Sequence, residues 1–493
     1  MNAGDLKTMS AVSTPADLRE YIDILENAGE LRRVRAEVDW HWEAGAMSRL
    51  ACERRGPAPL FENVKDYPGA QLASVLMGPG KPLHARTALA LGLDKATPTL
   101  DLMEHIRQRL KHPHKPMAVS SGAAPCKEVI LKGKDANLLK FPVPWIKEID
   151  GGRYLGTWCL IVTKDPDTGW VNWGTYRCEL KGEDSFAVLL QPERQHGGAM
   201  FRKYEQRGRP MPIAMVIGAD PACHLVGTTP FDFGLSEAEA AGALRGRGIP
   251  LVRCETSDLE VPASAEIVIE AEVLPGERVD EGPFGEYTGH SAHRGKTPVA
   301  RVTCITHRSN PIFTMANMGK PWDDYATPSH VMKGAVAKSR LESHGIDVHS
   351  VYYLVPDLAV VAVKAAAGSK RRVVSTLLAG QRLIGSGIVL VEEDVDVTNV
   401  EDVFWAISSR MNPQKGYEIL PDMPVNALYA WVTPEQRVTR ESSAWVMDAR
   451  FPHHWTEEYR KAHTTVSDFN HGWSRSIKDK VLARWKEYGY GDV

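Results

Sequence analysis

Asp258-Leu259-Glu260-Val261-Pro262-Ala263-Ser264-Ala265-Glu266-Ile267-Val268-Ile269-Glu270 reads as a lead-in to a strand, and soon after it comes Glu281-Gly282-Pro283-Phe284-Gly285-Glu286. Alternating β-branched residues over Ile267–Val273 predict a strand. The Gly-Pro-aromatic-Gly step after it predicts a sharp turn. That turn sets Glu281 and Glu286 five positions apart. Two acids on one turn let a protein use one to hold a partner and the other to move a proton.

Outward from this stretch, residues 129–318 keep the same character. Short runs rich in β-branched residues (Thr157–Thr163, Trp170–Glu179, Ile213–Ile217, Val299–Thr306, Pro311–Met315) are separated by Gly, Pro and Asp turns, which predicts a barrel-like or open β domain. Before it, Thr14 as cap, Pro15 in the first turn and Leu18, Tyr21, Ile22 and Leu25 at helical spacing predict a helix ended by Gly29. The strand-like run Leu31–Val38 follows, so an N-terminal α/β domain is expected over residues 1–125, with the β domain over 126–320. A helix capped by Ser329 and stopped at Gly345 predicts a connector within 321–345. Beyond it, strands at Ser350–Val355, Ala359–Val363, Ile388–Val391 and Ala427–Val432 alternate with helices near Lys370–Leu378 and Val400–Ser409, which predicts a second α/β domain over 346–460. A tail helix, Ile477–Tyr488, is expected within 461–493. The fold class is therefore α+β and multidomain.

Composition narrows the function. The 493 residues, 25% charged and 43% apolar, are enough for several cores. A net charge of −3 offers no basic stripe for nucleic acid and no polybasic patch for a membrane surface. No apolar run is long enough to span a bilayer, and the polar Met1–Thr14 lacks a signal-peptide core, so a cytoplasmic protein is expected. The seven cysteines are scattered without a Cys-x-x-Cys, which argues for buried free thiols. Phosphate-loop, zincin and nucleophile-elbow motifs are absent, and Gly246-Arg-Gly248 is too short for a dinucleotide fingerprint.

Three further residues offer a hard-metal donor set. Asn172, His196 and Glu237 combine an amide oxygen, an imidazole and a carboxylate, which suits Mn²⁺ or Mg²⁺. Other readings stand beside this one: Asn172 as a turn residue, His196 as a loop histidine before Gly197-Gly198, and Glu237 as an acid complementing a helix dipole. Against the last, a capping box at Ser236–Glu239 leaves Glu237 free to point elsewhere. Cys223–Thr229, rich in small residues, offers backbone groups to a phosphate or a monovalent cation, or is a plain surface loop. His453-His454 reads as a solvated pair or a pocket element.

The acid turn, Asn172-Trp173-Gly174-Thr175-Tyr176-Arg177, Gln195-His196 and the Asp258–Glu270 stretch together resemble the UbiD-like decarboxylases, and the resemblance covers nearly the whole chain. It implies a split β-barrel flavin domain, a C-terminal domain that mediates homodimerisation or higher assembly, and prenylated FMN as cofactor, supplied by a flavin prenyltransferase. It also implies that Asn172, His196 and Glu237 hold a Mn²⁺ (or Mg²⁺) ion that clamps the flavin phosphate, with K⁺ near Gly227, Thr228 and Thr229. Trp173, Gly174, Thr175, Tyr176 and Gln195 are implied to line the cofactor. Arg177 is implied to sit beside the flavin and to pair with Glu281, leaving Glu286 as the general acid that protonates the substrate carbon after CO2 leaves. The opposite assignment of the two acids stays open in the sequence. Losing CO2 from an unsaturated or aromatic carbon needs an electron sink that side chains lack. In the family a covalent adduct between substrate and prenylated flavin provides it. The expected activity is thus reversible, non-oxidative decarboxylation of an aromatic or heteroaromatic acid. A physiological carboxylase, a non-catalytic subunit and a flavin-free metal-dependent hydrolase are the alternatives. Trp322 and Tyr325 are implied to border the substrate and would stack on an aromatic ring, though they read equally as core or subunit-contact aromatics. One departure is visible: Leu377-Leu-Ala-Gly-Gln-Arg-Leu383 has no counterpart to the family's late Lys near the flavin phosphate, and Arg382 is the nearest substitute.

Overall fold

The computed structural model describes residues 13–355, 357–381, 383 and 385–491. Arg382 lies outside the described residues.

The first helix spans Leu18–Asn27 and buries the expected Leu18, Tyr21, Ile22 and Leu25. Its cap is Asp17, whose side chain accepts the Glu20 N–H, while Thr14 donates its hydroxyl to the Arg245 carbonyl at 2.9 Å. A carboxylate at this position also complements the helix dipole, which explains why it displaces the threonine. The helix lies beside a four-stranded sheet in the order Leu31–Val34, Ala58–Phe61, Gln71–Ser74 and Ile312–Met315. The last of these strands forms as expected but leaves the middle domain, pairing in parallel with Gln71–Ser74.

The middle of the chain forms a nine-stranded half-barrel sheet. Its backbone is the pair Ile267–Glu281 and Gly295–His307, which stays paired out to Glu281 opposite Gly295 although the register shifts after Glu270 and after Val273. Shifts of this kind bend a strand without ending it. The strand thereby carries the chain from the barrel core directly into the acid turn, where Gly282, with φ +85°, supplies the left-handed step. The run expected as one strand, Trp170–Glu179, is two: Val171–Gly174 and Cys178–Leu180. The break falls at Thr175–Arg177, where Thr175 N–H turns to the Gly227 carbonyl at 3.2 Å. Cys223–Thr229 is no surface loop: Pro221–Gly227 is a buried helix capped by Asp220.

The connector helix runs Ala326–Ser343. It starts before Ser329 because Asp323 accepts the Tyr325 and Ala326 N–H groups at 3.0 and 2.7 Å, acting as the cap that Ser329 was expected to supply. The C-terminal domain is a five-stranded sheet in the order Ser350–Val355, Leu358–Ala362, Gly387–Val391, Glu441–Asp448 and Tyr417–Pro424. The expected strand at Ala427–Val432 does not form. Asn426 accepts the Leu428 N–H with its side chain and the Tyr429 N–H with its carbonyl, closing a turn, and Arg437 donates to the carbonyls of Ala427 and Tyr429. The tail helix is Arg475–Ala483 and contributes no buried residue. All seven cysteines are buried and unpaired, and no helix among the described residues is long and apolar enough to cross a membrane.

Candidate active site

Arg177 sits just before the strand Cys178–Leu180, and Glu281 ends the long strand of the same sheet. The guanidinium forks onto Glu281, with Nε donating to Oε1 at 2.8 Å and Nη2 to Oε2 at 2.7 Å. Its remaining nitrogen, Nη1, donates to Glu286 Oε1. One planar cation thus holds both acids of the turn, a geometry that a lysine does not reproduce. Tyr154 adds a hydroxyl to Glu281 Oε1 at 2.8 Å. All three charged side chains are at most 8% exposed. Burial pushes the Glu286 carboxyl up, Arg177 draws it back, and the net position is above the usual carboxylate range. Burial likewise opposes ionisation of Arg177, but Glu286 and Glu281 hold its pKa above the ordinary arginine value.

The turn is itself held from behind. Asp150 accepts the Gly285 N–H at 2.8 Å and the Lys147 N–H at 3.1 Å, and Glu179 accepts the Gly282 N–H at 2.8 Å. Gly151 N–H donates to the Pro283 carbonyl at 2.7 Å. The Phe284 ring lies between two cations, with Lys147 Nζ and the Arg177 guanidinium each 5.4 Å from its centroid. Asp150, Tyr154 and Glu179 escaped the sequence reading because none belongs to a motif; only folding brings them to the turn.

Beside this cluster lies a cavity of about 880 Å³. Its wall includes Asn172, Trp173, Gly174, Thr175, Tyr176, Gln195, His196, Gly227, Thr228, Thr229 and Glu237, whereas Arg177, also expected at the cofactor, and the two acids Glu281 and Glu286 are not part of that wall. Tyr176 and Tyr287, the chain neighbours of Arg177 and Glu286, also line it. Asn172 Oδ1 and His196 Nδ1 are 3.2 Å apart, while the Asn172 amide nitrogen donates to Thr163 and Tyr176. The amide oxygen is therefore the atom turned towards the histidine. His196 Nε2 meets the Gln381 side chain at 2.6 Å, and burial lowers the imidazole pKa. Ser236 accepts the Glu239 N–H, which is the N-cap half of the expected capping box, and Glu237 turns inward to accept the Trp173 N–H at 3.3 Å. Burial outweighs the hydrogen bonds from its own backbone N–H and that of Trp173, and the Glu237 carboxyl is pushed up to about 8.

The two aromatics of the Gly319–Tyr325 loop part company. Tyr325 lines the cavity and packs on Tyr287 with ring centroids 4.8 Å apart. Trp322 is not in the cavity wall; its ring sets edge-on against His84 and His330, at 6.1 and 4.7 Å. His453 and His454 are exposed in a turn and do not line the cavity. To the same wall the C-terminal domain contributes Asp357, Asn426 and Tyr429, and the connector helix contributes Lys333.

Known proteins match this chain along nearly its full length. The model of the 3-octaprenyl-4-hydroxybenzoate carboxy-lyase Rift-related domain matches residues 117–321, and the N-terminal and C-terminal domain models of the same carboxy-lyase match 22–109 and 336–449. A pyrrole-2-carboxylic acid decarboxylase of Pseudomonas aeruginosa is 31% identical over 97% of this chain and 99% of its own. The closed form of Sedimentibacter hydroxybenzoicus vanillic acid decarboxylase superposes with a TM-score of 0.85 at 29% identity, covering 97% of this chain and 99% of that one. An evolved dimeric form of the UbiD-class enzyme HmfF from Pelotomaculum thermopropionicum, in complex with prFMN, gives 0.77 at 29% identity over 90% and 96%. With all three domains matched in order along one chain, and a relative aligned along almost its full length, the protein belongs to the UbiD family of carboxy-lyases.

Proposed function

We propose that this enzyme releases CO2 from an aromatic or heteroaromatic carboxylic acid, with prenylated FMN as cofactor and Glu286 as proton donor. The observation that carries the reading is one buried guanidinium shared by two acids that differ in their partners. Glu281 takes two hydrogen bonds from Arg177 and one from Tyr154, whereas Glu286 takes one from Arg177 and one from the Tyr287 N–H. The less engaged, buried acid is the one suited to keep a proton and hand it on.

The residues present fit the cofactor and a metal. Glu237 is 3% exposed and its carboxylate is met by backbone N–H groups, and a buried carboxylate in that setting favours a counter-ion. Asn172 Oδ1, the His196 imidazole and the Glu237 carboxylate would hold Mn²⁺ or Mg²⁺, and the Gly227–Thr229 backbone would face a phosphate or K⁺. Trp173–Tyr176 and Gln195 would line the flavin. When bound, prenylated FMN supplies the electron sink for the bond that breaks to CO2. The chain does the rest. Arg177 fixes the direction of both acids, the cavity and its aromatic wall limit water, and Glu286 delivers its proton to the carbon that carried the carboxylate. Tyr325 and Tyr287 would flank an aromatic substrate.

A second copy of the chain is assigned to the C-terminal domain, where Phe404, Tyr417 and Ile419 are exposed. A cytoplasmic setting fits seven thiols that are all unpaired.

The test is cofactor mass spectrometry with an absorbance spectrum on protein co-expressed with a flavin prenyltransferase, followed by a screen of aromatic acids for CO2 release. Prenylated FMN in the released fraction is expected. Glu286→Gln should then lower kcat by about 10²–10⁴-fold with the flavin spectrum retained. Folded, metal-loaded protein without any flavin would instead favour a hydrolase, and full turnover by the variant would remove Glu286 as donor.

A further inference from the structure

The residues just after the acid turn are gripped by a different domain. Tyr287 donates its hydroxyl to Asp357 Oδ2 at 3.0 Å and accepts the Asn426 amide at 2.7 Å. Thr288 donates its hydroxyl to the Leu428 carbonyl at 3.1 Å. Asp357, Asn426 and Leu428 all belong to the C-terminal domain, whereas Glu286, one residue before Tyr287, carries the proton in the reading above. Asp357 sits at the tip between the strands Ser350–Val355 and Leu358–Ala362, with φ +64°. It also accepts the Tyr429 hydroxyl at 2.6 Å and the Lys333 ammonium at 3.3 Å.

We infer that Asp357 is a positioning residue for the acid turn: by holding Tyr287, it makes the placement of Glu286 depend on the C-terminal domain being docked over the cavity. This inference rests on Glu286 being the proton donor. Three features separate a device of this kind from simple adhesive. A buried carboxylate is a costly way to join two domains, since apolar contacts of the same volume do it at least as well. Its donors come from three separate parts of the chain, so none of them alone keeps it satisfied if the domains part. Its grip is on the side chain adjacent to the reacting acid, and the hydroxyl it holds is also the acceptor for Asn426, so both C-terminal contacts are lost together. Burial opposes its charge, yet Lys333 and the hydroxyls of Tyr429 and Tyr287 hold the Asp357 carboxyl down to about 2, so the grip stays charged throughout the working range of pH. When the domains are docked, proton delivery and closure of the cavity are therefore one event rather than two.

The experiment compares Asp357→Asn, Tyr287→Phe and the double variant. Asparagine suits position 357 because it tolerates the left-handed backbone there. In flavin-free protein, hydrogen–deuterium exchange across 283–290 should rise about tenfold in either single variant. In the loaded enzyme each single change should lower kcat about tenfold or more, with KM shifting less, and the double variant should be no worse than the poorer single. Exchange that rises only around 350–362, leaving 283–290 protected, would overturn the inference. So would losses in kcat that multiply in the double variant. The exchange measurement stands apart from the proton-donor reading. If Glu286→Gln kept its turnover, that reading would fall while the coupling between Asp357 and the turn remained measurable.

Discussion

Arg177 shows how much one side chain can decide. Its fork takes both oxygens of Glu281 and its last nitrogen takes Glu286, so no other rotamer serves both acids. Arg177→Lys keeps the charge and loses the fork, and a fall in kcat of about 10²-fold is expected in steady-state assays with flavin still bound. The pH profile should follow from Glu286. Its folded-state pKa is raised, so the protonated acid persists above the usual carboxyl range and is lost as pH rises through the raised value. The alkaline limb of kcat should therefore report this group, and the limb should vanish with the residual activity of Glu286→Gln. The sign for stability is the same. What the proton on Glu286 contributes is fully present below the unfolded carboxyl pKa and is lost as pH climbs through the folded one. At this scale the sequence was legible wherever residues sat in a short motif. Glu281, Glu286 and Arg177 stood out, while Tyr154, Asp150 and Glu179 did not, since a lone acid or tyrosine carries no signal until a partner is placed beside it.

At the scale of elements, the acid turn is one half of a two-turn contact. The Lys147–Gly151 turn docks against it through Asp150 and through Gly151 N–H on the Pro283 carbonyl. A side chain on Gly151 would overlap the Gly282 carbonyl, so Gly151→Ala must separate the two turns. A loss of about 1–3 kcal/mol in denaturant unfolding, with a larger relative loss of turnover, is expected. Element boundaries also show where sequence patterns mislead. Ala427–Val432 has the composition of a strand, but Asn426 offers the backbone a cheaper turn and Arg437 occupies the carbonyls a neighbour strand would need. Ser329 has the identity of a cap, yet Asp323 meets the free N–H groups first and Ser329 ends up inside the helix. Buried strands such as Ile213–Ile217 and Ile388–Val391 were readable, because their apolar β-branched runs are continuous, whereas Tyr417–Pro424 and Glu441–Asp448, largely exposed or half-buried, carry no such signal and were missed.

For the whole molecule, the cavity collects residues from the half-barrel, the connector helix and the C-terminal domain. Metal and flavin should therefore be retained or lost as a unit. His196→Ala is expected to lower bound Mn²⁺, by elemental analysis, and bound flavin, by absorbance, in parallel. Unchanged flavin with lost metal would separate the two sites. The mixed α+β, multidomain class was legible from composition and turn spacing. Which strand belongs to which sheet was not. Ile312–Met315 looks like one more barrel strand, and only its parallel pairing with Gln71–Ser74 reveals its place. That pairing has a consequence for how the protein comes into being. During synthesis the sheet of Leu31–Val34, Ala58–Phe61 and Gln71–Ser74 is left with a bare edge along Gln71–Ser74, and the strand that covers it is not translated until the half-barrel strands through His307 have emerged. The N-terminal part must then wait, open along one side, for a segment synthesised long after it. Its completion becomes a checkpoint on the barrel, since the sheet can close only once everything between has found its place.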